Sequence, residues 1–244
     1  MGKKSTHTGT ALITGASQRI GQVIAFTLSS LGYQIALHYH HSHQMAHHTA
    51  SEIRKNGGIC ELFSCDLADE EETLNLIKDV HNKFPNLNVL INNASIFERS
   101  KFLSSDLKLF NKHFAVNLKS PFILCSEFKA VCKRGQIINI LDTDIVKNRT
   151  SHVAYLLTKK SLAELTKMAA LEFAPDIRVN GIAPGCILPP KGQTNDYLER
   201  QAQRVPLKRK GAISDVSRCV QFLLENDYVT GQFIFCDGGE HLAS

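Results

Sequence analysis

Seven short apolar runs alternate with longer amphipathic segments along this chain, and this alternation constrains the fold more than any other feature. The apolar runs cover residues 11–13, 34–37, 59–63, 89–91, 136–140, 177–180 and 233–235. Helical periodicity marks the segments near 19–31, 43–55, 69–83, 105–132, 152–173 and 214–225. Short apolar strands that are separated by helices form parallel sheets covered on both faces. The sequence therefore predicts an α/β fold built on a parallel sheet.

No linker, repeat or low-complexity tract divides the 244 residues, and an α/β fold of this length can form one domain. We therefore treat residues 1–244 as a single domain with a flexible polar start over about residues 1–8. One stretch, 184–211, is rich in Pro, Gly, Lys and Gln and has no strong period. Long loops in compact domains often act as lids or binding elements. We predict a loop with one short helix here, and we expect 186–211 to contact the substrate.

Composition excludes several classes of protein. No apolar run approaches the ~20 residues that cross a bilayer, and the N-terminus has no apolar segment typical of a secretory signal. The net charge is +5, but Lys and Arg are spread along the chain and are not interleaved with aromatic residues, so nucleic-acid binding is not indicated. A mild positive charge also suits a polyanionic small molecule.

The cysteines indicate a reducing compartment. There are seven, an odd number, and no two stand in a Cys-x-x-Cys spacing. A disulfide framework or a zinc knuckle is therefore not indicated. Cysteines within apolar stretches are typical of free thiols in a reducing compartment. We expect a cytoplasmic protein without a bound metal.

A glycine turn follows the first predicted strand and leads into a helix, with the sequence Thr-Gly-Ala-Ser-Gln-Arg-Ile-Gly over residues 14–21. Strand, glycine turn and helix together are the context of a dinucleotide site. The helix N-terminus offers unpaired N–H groups and partial positive charge to a pyrophosphate. Gly15 permits a tight turn and Gly21 permits close packing of helix on strand. A plain strand–helix connection is the alternative for this turn alone.

The end of the second strand, residues 37–42, reads Leu-His-Tyr-His-His-Ser and favours NADPH over NADH. An NAD site carries an acid about 20 residues after the glycine turn, yet no acid stands between Gly21 and Glu52. Imidazoles and a hydroxyl can donate hydrogen bonds to a 2′-phosphate. Two alternatives remain for this histidine-rich segment, which are a metal site and a solvated turn.

Tyr155 and Lys159 stand four residues apart on a predicted helix, so their side chains share one face. A phenol is a poor acid–base group at neutral pH, but a nearby ammonium lowers its pKa. The pair is therefore a plausible unit for proton transfer. The same spacing is common in structural helices, so the pair gains weight only in combination with other motifs.

That combination is present. Asn-Asn-Ala at 92–94, Asn117, Pro-Gly at 184–185 and Asp-Gly-Gly at 237–239 occur in an order that resembles the short-chain dehydrogenase/reductase family from about residue 8 to 242. The resemblance implies a Rossmann-like, doubly wound, seven-stranded parallel sheet, a nicotinamide cofactor and a homotetramer. It implies that Tyr155 donates a proton, that Lys159 binds the ribose and lowers the pKa of Tyr155, and that Asn117 belongs to a proton relay.

Two positions depart from the family pattern. The phosphate loop of the family ends Gly-x-Gly, but this chain has Arg19 at the first of these glycines, and Asp142 replaces the catalytic serine 13 positions before Tyr155. Both changes together resemble the pteridine reductases, including the bacterial dihydromonapterin reductases. In that subgroup the arginine contacts cofactor phosphate and substrate, and the aspartate works with the tyrosine as proton donor. The 37–42 segment resembles the subgroup's His-Tyr-His-Arg-Ser run, with His41 where an arginine stands.

Residues 92–97 resemble the subgroup's segment whose serine and phenylalanine, here Ser95 and Phe97, hold the pterin. The resemblance thus assigns the substrate to Arg19, Ser95, Phe97, Asp142 and Tyr155, and catalysis to Asp142, Tyr155, Lys159 and Asn117. It assigns the cofactor to Gly15, Ser17, Arg19, Ile20, Gly21, His38, Tyr39, His40, His41, Ser42, Asp66, Leu67, Asn93, Ala94, Ser95, Tyr155, Lys159, Pro184, Gly185 and Ile187.

The chemistry also favours a pterin. Reduction of a C=N bond needs a hydride at carbon and a proton at nitrogen, and an aspartic acid with a raised pKa supplies that proton where serine cannot. We therefore predict NADPH-dependent reduction of a dihydropterin, such as dihydromonapterin, dihydrobiopterin or dihydrofolate. A general NADPH-dependent carbonyl or 3-oxoacyl reductase is the alternative enzyme, and a catalytically silent NADPH-binding regulator is the alternative outside enzymes.

Overall fold

The computed structural model describes residues 9–103, 106–190, 192 and 194–243. The predicted flexible start, residues 1–8, lies outside the described residues, as do residues 191 and 193 of the predicted substrate loop.

Within this part of the chain, seven parallel strands form one sheet in the order β3-β2-β1-β4-β5-β6-β7. The strands are β1 (Thr10–Ile13), β2 (Gln34–Tyr39), β3 (Cys60–Ser64), β4 (Leu87–Asn92), β5 (Gly135–Ile140), β6 (Ile177–Pro184) and β7 (Phe233–Cys236). The strand order reverses between β1 and β4, which is the switch point of a doubly wound sheet, where ligands bind at the carboxyl ends of the strands. The predicted Rossmann-like, single-domain fold is confirmed.

Helices cover both faces of the sheet. They are α1 (Arg19–Ser30), α2 (His43–Lys55), α3 (Glu70–Lys83), α4 (Leu107–Phe114), α5 (Ser120–Val131), α6 (Val153–Phe173), α7 (Asn195–Ala202) and α8 (Ile213–Glu225). Alternate residues of β1 serve the two faces: Ala11 and Ile13 pack in the cluster beneath α1, α2 and α8, and Leu12 packs in the cluster beneath α3 and α5. Because both faces are buried, the strands read as continuous apolar runs.

One predicted helix, 105–132, is wrong as a single element. The chain forms α4, then a π-helical segment over Ala115–Lys119, then α5. The N–H of Ser120 donates to the carbonyl of Ala115, five residues back. Pro121 has no amide hydrogen to offer the carbonyl of Asn117, which favours a local change of pitch. The first predicted residue, 105, lies outside the described residues.

The segment that joins β6 to α8 contains one short helix, α7, as predicted. Strand β6 runs to Pro184, four residues beyond its predicted end, because residues 181–184 remain paired with β7. None of the helices described is long and apolar enough to cross a membrane.

Candidate active site

The candidate residues meet at the carboxyl edge of the sheet. The 14–21 loop follows β1, the 93–97 segment follows β4, Asp142 follows β5, and Pro184 ends β6. These strands are neighbours around the switch point. The sequence-predicted cofactor and substrate residues are thus brought to one crevice by topology, because parallel strands end at the same edge.

The 14–21 loop is shaped for a phosphate group. Gly15 has φ +62°, and a Cβ on it would lie 3.0 Å from the Cα of Ala94. A Cβ on Gly21 would lie 2.6 Å from both the carbonyl oxygen of Gly15 and the side-chain nitrogen of Asn93. Helix α1 begins without a side-chain cap and without an acidic residue in its first turn. Its first N–H groups therefore remain available to an anion, and the loop fits a dinucleotide pyrophosphate.

Arg19 stands in a backbone conformation that favours glycine, with φ +58°. This explains why the family pattern has glycine at this position. The Arg19 side chain is exposed, and its Nη2 donates to the carbonyl of Pro189 at 2.9 Å. Arg19 therefore links the phosphate loop to the segment that follows β6, a contact that the sequence did not predict.

Thr14 and Asn93 join the two loops at the switch point. Thr14 Oγ1 accepts hydrogen bonds from the backbone N–H groups of Asn93 and Ala94, at 2.9 and 3.0 Å. Asn93 Nδ2 donates to the carbonyl of Thr14 at 2.8 Å. The Asn93 side chain thus holds the phosphate loop. Thr14 is missing from the predicted site, and its place directly before the glycine turn is the signal that could have found it.

His38 has a different task from the one that the sequence suggested. Its Nδ1 accepts from the N–H of Gly15 at 3.0 Å, and its Nε2 donates to the carbonyl of Cys65 at 3.0 Å. Burial lowers the pKa of this imidazole to about 4. His38 is therefore neutral, and both of its ring nitrogens are engaged in hydrogen bonds within the protein. It supports the 14–21 loop and is not free to donate to a 2′-phosphate.

The remaining residues at the end of β2 lie nearer the surface. The rings of His40 and His41 lie 3.5 Å apart, and His40 Nδ1 is 3.6 Å from Asp66 Oδ1. Ser42 directly precedes α2. The Tyr39 ring meets the His43 ring edge to face. The Leu67 side chain is buried in the core. In the described part of the chain, no group of three His, Cys, Asp or Glu residues is arranged to hold a metal ion.

Tyr155 and Asp142 form the centre of the site. Tyr155 donates from its hydroxyl to Asp142 Oδ2 at 2.6 Å, and Asp142 Oδ1 accepts from the N–H of Asp144 at 2.8 Å. Burial raises the pKa of Asp142, against the two hydrogen bonds that lower it. This direction agrees with the prediction of an acid that holds its proton.

The predicted effect of Lys159 on Tyr155 is wrong in this chain. Burial raises the pKa of Tyr155 well above its ordinary value, and Asp142 raises it further when its carboxyl is ionised. Lys159 Nζ donates to the carbonyl of Ile140 at 2.7 Å and lies 5.8 Å from the Tyr155 ring centre. Burial lowers the pKa of Lys159 to about 8. The Asp142 carboxyl group, which stands where the family has serine, therefore affects the pKa of Tyr155 more than Lys159 does. The Tyr155 phenol keeps its proton.

Asn117 fastens the segment that follows β4. Its Oδ1 accepts from the N–H of Ile96 at 2.9 Å and from the hydroxyl of Ser95 at 3.2 Å, and its Nδ2 donates to the Ile96 carbonyl at 3.0 Å. Nδ2 also lies 3.3 Å from Nδ1 of His113, a buried residue absent from the predicted site. A role of Asn117 in a proton relay remains a prediction.

Phe97 forms one wall beside the Tyr155–Asp142 pair. Its ring stacks on His152 with 4.2 Å between ring centres and a 12° interplanar angle, and meets Tyr155 edge to face at 4.7 Å. Phe97 is 46% exposed, so its ring is available to a flat ligand. His152 was not predicted; its position three residues before Tyr155 is the signal that places it beside that residue.

The Asp-Gly-Gly segment at 237–239 supports the site from the β7 side. A Cβ on Gly185 would lie 2.5 Å from the Cβ of Asp237, so glycine is required for this approach. Asp237 Oδ2 accepts from the hydroxyl of Thr143, the neighbour of Asp142, at 2.6 Å. Ile187, two residues beyond Gly185, is buried. The 237–239 motif thus anchors the loop that carries Asp142.

Comparisons with known proteins agree with this geometry. The family model described as Enoyl-(Acyl carrier protein) reductase matches residues 15–241. The structure of FolM Alternative dihydrofolate reductase 1 from Brucella suis in complex with NADP has a TM-score of 0.93 and 35% identity, covering 97% of this chain and 96% of that chain. The Brucella canis protein complexed with NADP has a TM-score of 0.94 and 34% identity, covering 100% and 98%. The 3-oxoacyl-(acyl-carrier-protein) reductase FabG of Staphylococcus aureus is 32% identical over 243 residues, covering 96% of this chain and 99% of the relative.

Proposed function

Because the chain belongs to the short-chain dehydrogenase/reductase family, we propose that it is an NADPH-dependent reductase that converts a dihydropterin to its tetrahydro form. The observation that carries the proposal is the 2.6 Å hydrogen bond from the Tyr155 hydroxyl to Asp142. It puts a carboxyl group with a raised pKa at the position where carbonyl-reducing members of the family have serine.

NADPH is supported as the cofactor by two features of the structure and by two relatives. The phosphate loop and the uncapped N-terminus of α1 fit a pyrophosphate. The end of β2 offers the imidazoles of His40 and His41 and the hydroxyl of Ser42, which suit a 2′-phosphate. The two Brucella relatives were solved in complex with NADP.

The bound cofactor supplies the hydride, and the side chains of this chain supply the proton and the orientation. Burial favours the protonated form of Asp142, and from that form the acid delivers a proton to a ring nitrogen directly or through the Tyr155 hydroxyl. Lys159, whose Nζ donates to the Ile140 carbonyl, places its ammonium group 5.8 Å from the centre of the Tyr155 ring. Arg19 stands at the crevice where it orients the substrate and the phosphate groups.

A pterin is supported by the shape of the wall beside Tyr155. The half-exposed ring of Phe97 offers a flat apolar face, and offset stacking of aromatic rings stabilises complexes by about 0.5–1.5 kcal/mol beyond burial. The two Brucella proteins are alternative dihydrofolate reductases, and dihydrofolate contains a pterin ring. We extend that class of substrate to this chain.

A 3-oxoacyl reductase is the second candidate, and the similarity to the Staphylococcus aureus enzyme favours it. A carbonyl oxygen is bound best by a neutral hydroxyl, which the aspartate at position 142 does not provide. The two candidates therefore differ in the residue that the reaction requires at position 142.

The experiment that tests the proposal follows NADPH oxidation by its near-ultraviolet absorbance. Dihydromonapterin, dihydrobiopterin, dihydrofolate and an acetoacetyl thioester are offered in parallel to the purified protein. Turnover with a reduced pterin supports the proposal and ranks the pterin side chains. Turnover with the thioester alone supports the second candidate. NADPH binding without turnover of any substrate supports the silent regulator. The cytoplasmic location and the homotetramer remain predictions.

A further inference from the structure

Ser100 lies three residues after Phe97, on the segment that follows β4, and its side chain is buried. Its backbone pairs with the residues in front of α6. The Ser100 N–H donates to the carbonyl of Ser151 at 3.2 Å, and the Ser100 carbonyl accepts from the N–H of Val153 at 3.1 Å. The two segments form a parallel bridge centred on Ser100 and His152. The segment that carries Phe97 is therefore fastened to the start of α6.

The Ser100 side chain caps this helix from another part of the chain. The first N–H groups of an α-helix have no partner within the helix, and a side-chain oxygen often accepts from one of them. His152, the residue before α6, makes no such hydrogen bond, and the first turn contains no acidic residue. Instead, Ser100 Oγ accepts from the N–H of Ala154 at 3.0 Å. Ser100 thus satisfies the N–H groups of Val153 and Ala154, the two residues directly before Tyr155.

The same segment has a second anchor, directly before Phe97. The backbone of Ile96 makes two hydrogen bonds with the side chain of Asn117, at 2.9 and 3.0 Å. Phe97 is therefore held between this anchor and Ser100. In this position its ring centre lies 4.7 Å from that of Tyr155. The placement of the flat wall beside the proton donor thus depends on where Ser100 meets α6.

We propose that Ser100 is a positioning residue for the reduction, and that it sets the place of the Phe97 ring relative to the Tyr155 hydroxyl. The inference rests on the proposed function, because it takes Phe97 as the wall that holds a flat substrate. The hydroxyl is the decisive group. Replacement by alanine can keep the backbone bridge, but it leaves the buried N–H of Ala154 without its acceptor. An unpaired buried N–H is costly, so the segment and the helix start should shift apart.

The test measures the KM for a dihydropterin and the Kd for NADPH in three variants. For Ser100→Ala we expect the KM to rise by about 3–10-fold, as for a lost aromatic stack, while the NADPH Kd stays unchanged. Ser100→Thr retains the hydroxyl and should keep the KM of the parent. Asp69→Ala is the matched control, since it removes a cap from another helix, α3, where Asp69 accepts from the N–H of Glu72 at 3.0 Å. It should lower the free energy of unfolding and leave the KM unchanged.

A double variant separates positioning from a general loss of stability. A less stable protein contains fewer active molecules, but the KM of those molecules is the same. If Ser100 acts through Phe97, Ser100→Ala should add no further rise in KM to that of Phe97→Ala, because residues that act together are not additive. Effects on KM that multiply independently would overturn the proposal. An unchanged KM in Ser100→Ala alone would overturn it as well.

Hydrogen exchange tests the contact in the unsubstituted protein, so the result does not depend on a variant that folds. Amides in an uncapped first helical turn exchange rapidly. We expect the amides of Val153 and Ala154 to be protected, and rapid exchange of both would overturn the proposal. The two kinds of failure remain distinct. A parent that reduces no dihydropterin refutes the proposed function and the role that rests on it. A parent that reduces one, with a KM that Ser100→Ala leaves unchanged, refutes only the role of Ser100.

Discussion

Replacement of Asp142 by asparagine separates proton donation from structure. The amide has one acceptor oxygen and one donor nitrogen where the carboxylate has two acceptor oxygens, which receive the Tyr155 hydroxyl at 2.6 Å and the Asp144 N–H at 2.8 Å. The oxygen can keep the backbone contact, and the nitrogen can donate to the Tyr155 hydroxyl. The geometry is thus retained, but the acidic proton is lost. Removal of a general acid lowers kcat by about 10²–10⁴-fold.

The stability of this variant should move in the opposite direction to its activity. Burial raises the pKa of Asp142 in the folded protein, so the ionised carboxylate is disfavoured there. A group with a raised folded pKa reduces stability as the pH rises above its unfolded value. The neutral amide does not have this cost, and we expect the free energy of unfolding at pH 7 to be no lower than that of the parent.

Three measurements check this reasoning: kcat with a dihydropterin, NADPH affinity from fluorescence quenching, and urea unfolding. Asp144→Asn is the matched control, because it removes a neighbouring carboxylate but leaves the Asp144 N–H in place. We expect it to lose less than about 10-fold in kcat. If Asp142→Asn keeps kcat within about 10-fold of the parent, Asp142 is not the proton donor. Asp142→Ser then distinguishes the two candidate reactions, since serine should favour a ketone over a pterin.

Three further substitutions have defined outcomes. Arg19→Gly removes the hydrogen-bond donor to the Pro189 carbonyl and relieves the unfavourable φ of +58°. Because glycine also adds about 0.5–1 kcal/mol of unfolded-state entropy, the free energy of unfolding should change by less than about 1 kcal/mol. The KM for the pterin should rise. Phe97→Ala should raise that KM by about 3–10-fold and leave the NADPH Kd unchanged, and an unchanged KM would argue against stacking. The depressed pKa of His38, about 4 against an ordinary 6.5, means that the unfolded chain binds a proton in this window and the folded chain does not. The unfolding free energy should therefore fall by about 3 kcal/mol from this group as the pH drops from 6.5 to 4, and His38→Gln should remove that part of the slope, measured by urea unfolding across the window.

Much of the fold could be predicted because β1, β4 and β5 are buried on both faces and are therefore apolar throughout. The order of the strands could not be derived from these runs, and the family resemblance implied only a doubly wound sheet of seven parallel strands. The phosphate loop and the Tyr155–Lys159 pair were accessible for a similar reason, since their chemistry depends on local spacing.

Other features depended on contacts between distant parts of the chain. His38 supports Gly15 and Cys65, which stand 23 and 27 residues away, so its sequence neighbours do not reveal its partners. The reversed effect on the pKa of Tyr155 depends on burial and on how closely Asp142 approaches, and neither can be read from a spacing of 13 residues. Thr14 and His152 belong to no motif that was recognised in the sequence, and only the tertiary structure brings them to the crevice.

The π-helical segment over Ala115–Lys119 has a consequence for the neighbours of its two flanking helices. One extra residue in a turn rotates everything beyond it by about 100° relative to an unbroken α-helix. Helix α4 packs on α6, whereas helix α5 packs mainly on α3 and has a smaller contact with α6, so the two helices have different main partners. Deletion of a single residue here would restore a uniform α-helical pitch. Helices α4 and α5 could then no longer both keep their present packing contacts. Either Asn117 would turn away from Ile96, or α4 would lose its contact with α6. We therefore expect a deletion at this point to destabilise the fold more than most substitutions would.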